Sequence, residues 1–294
     1  MTTIGFIGLG IMGAPMAGHL VKAGHKVTGY DVVPAGLDKL AAAGGQPAGS
    51  VAAAVNDAEV VITMLPNHPH VESVVLGEDG VLAHAKPGTL LIDMSSIRPE
   101  TSIAVAQAAS ANRVRVLDAP VSGGEAGAIE AVLSIMVGGE SDDFAEALPL
   151  FELLGKTIVH VGPHGAGQVV KAANQLLVAG IIALNAEALV LMEASGVDGR
   201  KGLSVLNGGL AGSTVLTRKI ENFVNRDYTP GFRIDLHDKD MGIALAAART
   251  AGIGLPLTGA VSQLVASAKA AGRGGQDHSA LLGLLEDLNG KAAA

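Results

Sequence analysis

Thr3-Ile4-Gly5-Phe6-Ile7, then Gly8-Leu9-Gly10-Ile11-Met12-Gly13, is a short β-rich run followed by glycines at the first, third and sixth positions of a turn. Apolar residues at helical spacing continue from Ile11 to Ala23. A strand entering a glycine turn that opens a helix is the phosphate cradle of a dinucleotide fold. The first glycine permits the tight turn, the second admits a pyrophosphate close to the backbone, and the third lets helix and strand pack closely. The plain alternative is a structural glycine turn. A second β-rich run, Lys26–Tyr30, ends at Asp31, where a carboxylate accepts the hydroxyls of an adenosine ribose. That carboxylate repels a 2′-phosphate, and Val32 and Val33 supply no arginine to hold one, so NAD(H) is preferred with NADP(H) still possible. Asp31 can equally cap a helix beginning at Pro34.

Outward from the turn, further strands are expected at Val60–Met64, Leu90–Asp93, Val114–Asp118, Ser134–Val137 and Ile158–Val161, alternating with helical segments such as Glu100–Ala109. This alternation predicts an α/β, Rossmann-like, mostly parallel sheet covered on both faces. Leu65-Pro66-Asn67 and Ser95-Ser96 follow two of these strands at their carboxyl ends, the ligand side of such sheets. Leu65, Pro66, Asn67 and Ser96 are therefore candidates for the nicotinamide half of the site, although turn chemistry also explains them. After Gly162 the strands stop, and a proline-free, Ala- and Leu-rich stretch from Gly167 to Ala194 reads as one long helix. Helices are expected near Lys201–Leu206, Thr214–Val224, Leu236–Ala251, Leu257–Ala271 and Ser279–Leu288. Two domains follow: a cofactor domain over residues 1–163 and an all-helical domain over 164–294.

Of the 294 residues 49% are hydrophobic and 16% charged, the balance of a globular chain with a sizeable core. A net charge of −8 without a basic run argues against a nucleic-acid partner. The absence of cysteine excludes disulfides and thiolate catalysis. No basic leader is visible, and the apolar stretch Leu176–Leu184 is bordered by Asn174, Gln175, Asn185 and Glu187, so neither export nor a membrane partner is expected. The expected location is the cytoplasm. His68 and His70 flank Pro69, and His160 and His164 flank Gly162-Pro163; neither pair has a third ligand in view, so no metal is expected. Ser122 lies in no Gly-x-Ser-x-Gly elbow and is not read as a hydrolytic nucleophile.

Four stretches together carry a resemblance. Gly8–Met16 (GLGIMGAPM), Asp118–Glu125 (DAPVSGGE), Gly165–Gln175 (GAGQVVKAANQ) and Lys239-Asp240 resemble the β-hydroxyacid dehydrogenases in order and spacing over nearly the whole chain. Ile62–Pro66, Asp93–Ile97, Gly208–Leu216, Pro230–His237 and Asp277–Leu281 are similar, more narrowly, to the tartronate semialdehyde reductase branch. The resemblance implies a small carboxylate-bearing aldehyde or hydroxyacid as substrate and a homo-oligomer, dimer or tetramer, built by the helical domain. It makes Lys171 the catalytic lysine, gives Ser122, Gly123 and Gly124 contacts with substrate, and sets Lys239 near cofactor and substrate.

The residue chemistry is compatible. Hydride addition to an aldehyde puts negative charge on oxygen, which an ammonium both stabilises and protonates. Lys171 has no acidic residue three or four positions away, unlike a routine solvated helical lysine. Asn174 and Gln175 lie three and four positions beyond it, and either amide can orient the lysine or bind a substrate hydroxyl, or both can satisfy a helix interface. The amides of Ser122-Gly123-Gly124 with the Ser122 hydroxyl suit a carboxylate. Lys239 either serves the site or pairs with Asp238 or Asp240, and Phe232 packs beside the nicotinamide or plugs the core. Rival readings are 3-hydroxyisobutyrate or another short β-hydroxyacid as substrate, and a non-catalytic nucleotide sensor.

Overall fold

A computed structural model describes residues 1–290, which divide into two compact units, Met1–Lys171 and the described residues from Ala172 onward. In the first unit the chain runs β1 (Thr3–Ile7), α1 (Gly13–Lys22), β2 (Lys26–Tyr30), α2 (Pro34–Ala42), β3 (Gln46–Pro47), α3 (Val51–Val55), β4 (Val60–Thr63) and α4 (His68–Val71). It continues through α5 (Val81–His84), β5 (Leu90–Asp93), α6 (Pro99–Ala111), β6 (Arg115–Asp118), β7 (Val121–Ser122), α7 (Gly124–Ile129), β8 (Leu133–Gly139), α8 (Ser141–Phe151) and β9 (Gly155–Gly162). The strands form one sheet in the order β3-β2-β1-β4-β5-β6-β8-β7, with β9 added on β8. β3 through β6 pair in parallel, whereas β8 runs antiparallel to β6 and β7. The doubly wound, mostly parallel sheet read from the strand–helix alternation is therefore present.

The central strands β4 and β5 are buried along their whole length because helices cover both faces. One face packs Phe6, Leu20, Leu40, Ile92 and Phe151 together. The other packs Ile7, Val61, Leu91, Val105 and Val116. The strand order reverses between β1 and β4, so the carboxyl ends of these two strands open the crevice where open α/β sheets bind ligands. Pairing is in register across the sheet: Thr63 lies beside Asp93, and Asp93 beside Asp118.

α9 (Ala166–Ala194) runs through the junction of the two units. The second unit then contains α10 (Gly199–Gly208), α11 (Thr214–Asn225), α12 (Ile234–Thr250), α13 (Pro256–Ala268) and α14 (Leu281–Leu288) around Ile182, Leu189, Leu203, Phe223, Ile234 and Leu282. Its largest polar anchor is Asp277. Its carboxylate accepts from Lys219 Nζ at 2.7 and 2.8 Å, from the Gly231 and Phe232 amides at 3.0 Å each, and from the Ser279 hydroxyl at 2.8 Å. Burial opposes its ionisation, but the adjoining His278, the Lys219 ammonium and the Phe232 amide outweigh it and hold the carboxyl below the usual carboxylate range.

Leu176–Leu184 is the middle of the long helix read over 167–194, now 29 residues, which by length and composition alone is long and apolar enough to cross a membrane. The polar neighbours do not interrupt it, because Asn185 returns its amide to the Ile181 carbonyl one turn back at 2.8 Å.

Candidate active site

In the first unit the glycine turn is built as its spacing requires. Gly8 has φ +95°, and a Cβ there would lie 2.3 Å from the Met64 carbonyl oxygen. A Cβ on Gly13 would lie 1.9 Å from the Gly8 oxygen, so the start of α1 presses directly on the turn. Gly10 differs: its absent Cβ faces nothing within 4 Å. That open cradle beside bare backbone is where a pyrophosphate fits, so these residues suit a dinucleotide. Leu9 is buried beneath the turn, whereas Ile11 is exposed. Met12 packs against the sheet core.

Asp31 sits at the carboxyl end of β2 and accepts from the Leu9 amide at 2.6 Å and the Val33 amide at 2.7 Å. It does not cap the next helix, whose N-cap is Val33 without a side-chain bond. The carboxylate instead braces the glycine turn from the adjoining strand. Leu65, Pro66 and Asn67 follow β4, and Asn67 caps α4 by accepting from the His70 amide. The Leu65 amide donates to Ser95 Oγ at 2.8 Å, which couples this turn to the Ser95-Ser96 turn after β5. Val121–Ser122 is a short strand beside β8. Gly123 and Gly124 then take φ +140° and +64°, a turn that side chains with a Cβ rarely enter. His160 and His164 are held by the carbonyls of Gly139 and Val116 at 2.7 and 3.0 Å, and His70 by Asn67.

Beneath these turns lie polar residues that sequence reasoning did not single out. Asp93 is 3% exposed and accepts from Thr63 Oγ1 at 2.8 Å and the Ser95 amide at 3.1 Å, while its Oδ2 has no hydrogen-bond partner among the described residues. Burial pushes its carboxyl up to about 6, helped by the neighbouring Asp118 and opposed by the Ser95 and Thr63 bonds. Asp118, also raised by burial, accepts from the Gly165 amide at 2.7 Å and the Gln168 amide at 3.2 Å at the start of α9. Their signal in the sequence was an aspartate ending an otherwise apolar strand. Lys171, one turn past Gln168, is 8% exposed.

In the second unit Asn174, Gln175 and Lys239 are brought together through Asp240. Asn174 Nδ2 donates to Gln175 Oε1 at 2.8 Å, Gln175 Nε2 donates to Asp240 Oδ2, and Lys239 Nζ lies 3.1 Å from Asp240 Oδ1. The Lys239–Asp240 pair foreseen as an alternative thus exists. Phe232 is half-buried and packs edge-on against His237 and His278, with centroids 5.4 and 5.5 Å away. His237 Nε2 donates to the Gln175 carbonyl at 3.2 Å, which leaves Nδ1 to accept from His278 Nδ1 at 3.2 Å. Burial and His237 push His278 down to about 3, so it is neutral at physiological pH.

Residues 3–162 match the family model described as the NAD binding domain of 6-phosphogluconate dehydrogenase, and residues 165–285 that of the NADP-dependent 3-hydroxyisobutyrate dehydrogenase. The 2-hydroxy-3-oxopropionate reductase of Escherichia coli is 41% identical over 283 residues, covering 96% of this chain and 97% of that protein. The NAD-dependent L-serine dehydrogenase of Pseudomonas aeruginosa is 42% identical over 264 residues, covering 87% and 89%. Among solved structures, the Mycobacterium tuberculosis 3-hydroxyisobutyrate dehydrogenase with L-serine aligns with a TM-score of 0.87 at 37% identity, over 97% of this chain and 99% of that one. Matched family models over both halves, and relatives of this identity over almost their full length, make the chain a member of the 3-hydroxyisobutyrate dehydrogenase, or β-hydroxyacid dehydrogenase, family of NAD(P)-dependent oxidoreductases acting on small hydroxyacids.

Proposed function

We propose that this enzyme reduces tartronate semialdehyde (2-hydroxy-3-oxopropionate) to glycerate, with NADH preferred over NADPH. The observation that carries the choice is Asn174, a half-buried amide one helical turn beyond Lys171 on α9. Gln175 is buried and committed to Asp240 and Asn174, so Asn174 Oδ1 is the amide oxygen assigned to the substrate's 2-hydroxyl. A 2-methyl group, as in methylmalonate semialdehyde, leaves that amide unpaired, and a site built for a hydroxyl discriminates strongly against its absence. The full-length likeness to the E. coli 2-hydroxy-3-oxopropionate reductase supports the same substrate. Asp31 favours NADH because its carboxylate, fixed by the Leu9 and Val33 amides, repels a 2′-phosphate.

The bound nicotinamide supplies the hydride. In our reading Lys171, buried on α9, holds the proton that the carbonyl oxygen takes as negative charge develops there. Ser122, Gly123 and Gly124 bind the substrate carboxylate through the Ser122 hydroxyl and the turn amides. Gly8–Gly13 seat the pyrophosphate; Leu65, Pro66, Asn67 and Ser96 line the nicotinamide side. Lys239 and Phe232 complete the group, Lys239 as positive charge and Phe232 as a rigid wall fixed by two histidines.

The enzyme is proposed to be cytoplasmic and to act as a homodimer or as a tetramer of two such dimers. Val170, Leu177, Leu184 and Leu191 recur every seven residues along α9 and are 38–67% exposed. A stripe of this kind is self-complementary across a two-fold axis, and a second copy covers it better than lipid, given Lys171, Asn174, Gln175, Asn185 and Glu187 on the same helix. The substrate is tested by following NADH oxidation with tartronate semialdehyde and methylmalonate semialdehyde, and NADH formation with L-serine and 3-hydroxyisobutyrate. Highest kcat/KM for tartronate semialdehyde supports the reading. A preference for methylmalonate semialdehyde or L-serine moves the enzyme to another specificity, and no turnover with any of them favours a nucleotide-sensing role.

A further inference from the structure

Three segments of the first unit, α9, the Ser95–Ile97 turn and the end of β6, meet at one buried residue that the chemistry above does not use. Gln168 is 1% exposed and sits three residues before Lys171 on α9. Its Oε1 accepts from the Ile97 amide at 3.0 Å, and its Nε2 donates to the Ser95 carbonyl at 2.8 Å. The amide thus grips the turn that carries Ser96 at two backbone points, one on each side of that residue. The Gln168 backbone amide, with that of Gly165, is held by Asp118, which begins the segment leading to Ser122-Gly123-Gly124. Ser95 in turn accepts from the Leu65 amide through its hydroxyl.

These bonds leave little slack. A Cβ on Gly167 would lie 2.4 Å from the Met136 carbonyl oxygen and 2.8 Å from that of Asp118, so the first turn of α9 rests directly on the ends of β6 and β8. An amide that bonds to both a carbonyl and an N–H of one loop fixes translation and rotation together, as a single bond does not. Neighbours three apart on a helix share a face, so what fixes Gln168 fixes the base of the Lys171 side chain.

We propose that Gln168 is a positioning residue. Clamped by Asp118 and clamping Ser95–Ile97, it sets the distance between the turn lining the nicotinamide and the lysine that protonates the substrate. The inference rests on the reading of Lys171 above. It adds that the hydride and proton sides of the reaction are gauged by one side chain that touches neither substrate nor cofactor.

The test uses Gln168→Ala and Gln168→Glu in the full chain. Turnover is measured on the best substrate of the panel, NADH affinity by fluorescence, and the titration of Lys171 by NMR of isotope-labelled lysine, which needs no turnover. Gln168→Ala is expected to lower kcat about 10–100-fold, since displacements near 1 Å cost about that much, with KM and NADH affinity within about three-fold. It also shifts the Lys171 titration. Gln168→Glu places a carboxylate against the Ser95 carbonyl, but once protonated it has the shape and donor of the amide. Its turnover relative to the parent therefore recovers as pH falls from about 8 to about 6, because burial raises the new carboxyl. A stability defect alone predicts no such recovery in folded protein. Adding Gln168→Ala to Lys171→Ala costs nothing further if the first acts through the second. Parental kcat with an unmoved Lys171 titration, a pH-independent deficit in Gln168→Glu, or fully multiplicative losses in the double variant each overturn the proposal. Parental turnover in Lys171→Ala alone overturns the lysine assignment instead, and the Lys171 titration still reports on the clamp.

Discussion

Gly10 and Gly13 look alike in the sequence and do different work. At Gly13 a methyl group has nowhere to go, whereas at Gly10 it enters the open space where we propose the pyrophosphate sits. Gly10→Ala is therefore expected to leave the melting temperature within about 2 °C of the parent while weakening NADH at least about ten-fold. Gly13→Ala is expected to destabilise the chain by about 1–3 kcal/mol, from overpacking against the Gly8 carbonyl. Thermal melts alongside NADH titrations separate the two, and equal effects of both would contradict the cradle. The spacing of the glycines was legible because it follows from backbone sterics. The division of labour between Gln175 and Asn174 was not, because it depends on Asp240 arriving from α12, sixty-five residues away. Asp31 shows the same limit: its carboxylate was visible, but its partner Leu9 lies twenty-two residues back in the glycine turn.

At the scale of elements, the apolar runs announced β1, β4, β5 and β6 because parallel strands buried on both faces need continuous hydrophobic sequence, while β2 alternates buried and more exposed residues. β3 and β7 were not foreseen, since two residues carry no periodicity. Nor was the antiparallel course of β8, which is set by its partners and not by its own sequence. Seen across the strands, Thr63, Asp93 and Asp118 form a polar row at the carboxyl ends of β4, β5 and β6. Because burial raises Asp93 to about 6, the folded chain keeps its proton in a range where the unfolded chain has lost it. Its contribution to stability is therefore greatest below about pH 4, falls as pH rises towards about 6, and stays low above. Asp93→Asn keeps an acceptor for Thr63 and Ser95 and cannot ionise. It is expected to gain about 1–3 kcal/mol over the parent at pH 8, with the gain vanishing near pH 4. Denaturant melts at both pH values check this, and a pH-independent difference would contradict it.

For the whole molecule, the break between strand-bearing and helical halves was visible in the composition, and the family membership rests on motifs spread over both. The exposed stripe on α9 was hidden. A helix with apolar residues on every side reads the same whether its outer face meets its own chain or another copy. Only 33% of its most apolar window is buried within one chain. If the proposed dimer forms through that stripe, Leu184→Glu places a charge in its middle and is expected to leave a monomer in sedimentation velocity, shifting the dissociation constant by at least about 100-fold. A parental sedimentation profile would remove α9 from the interface.

The account turns on Lys171 as the proton donor, and the direct measurement is turnover by Lys171→Ala alongside its affinity for NADH. General acid catalysis predicts a fall in kcat of about 10²–10⁴-fold with NADH binding within about three-fold of the parent. Turnover near the parental rate with NADH bound normally would contradict it.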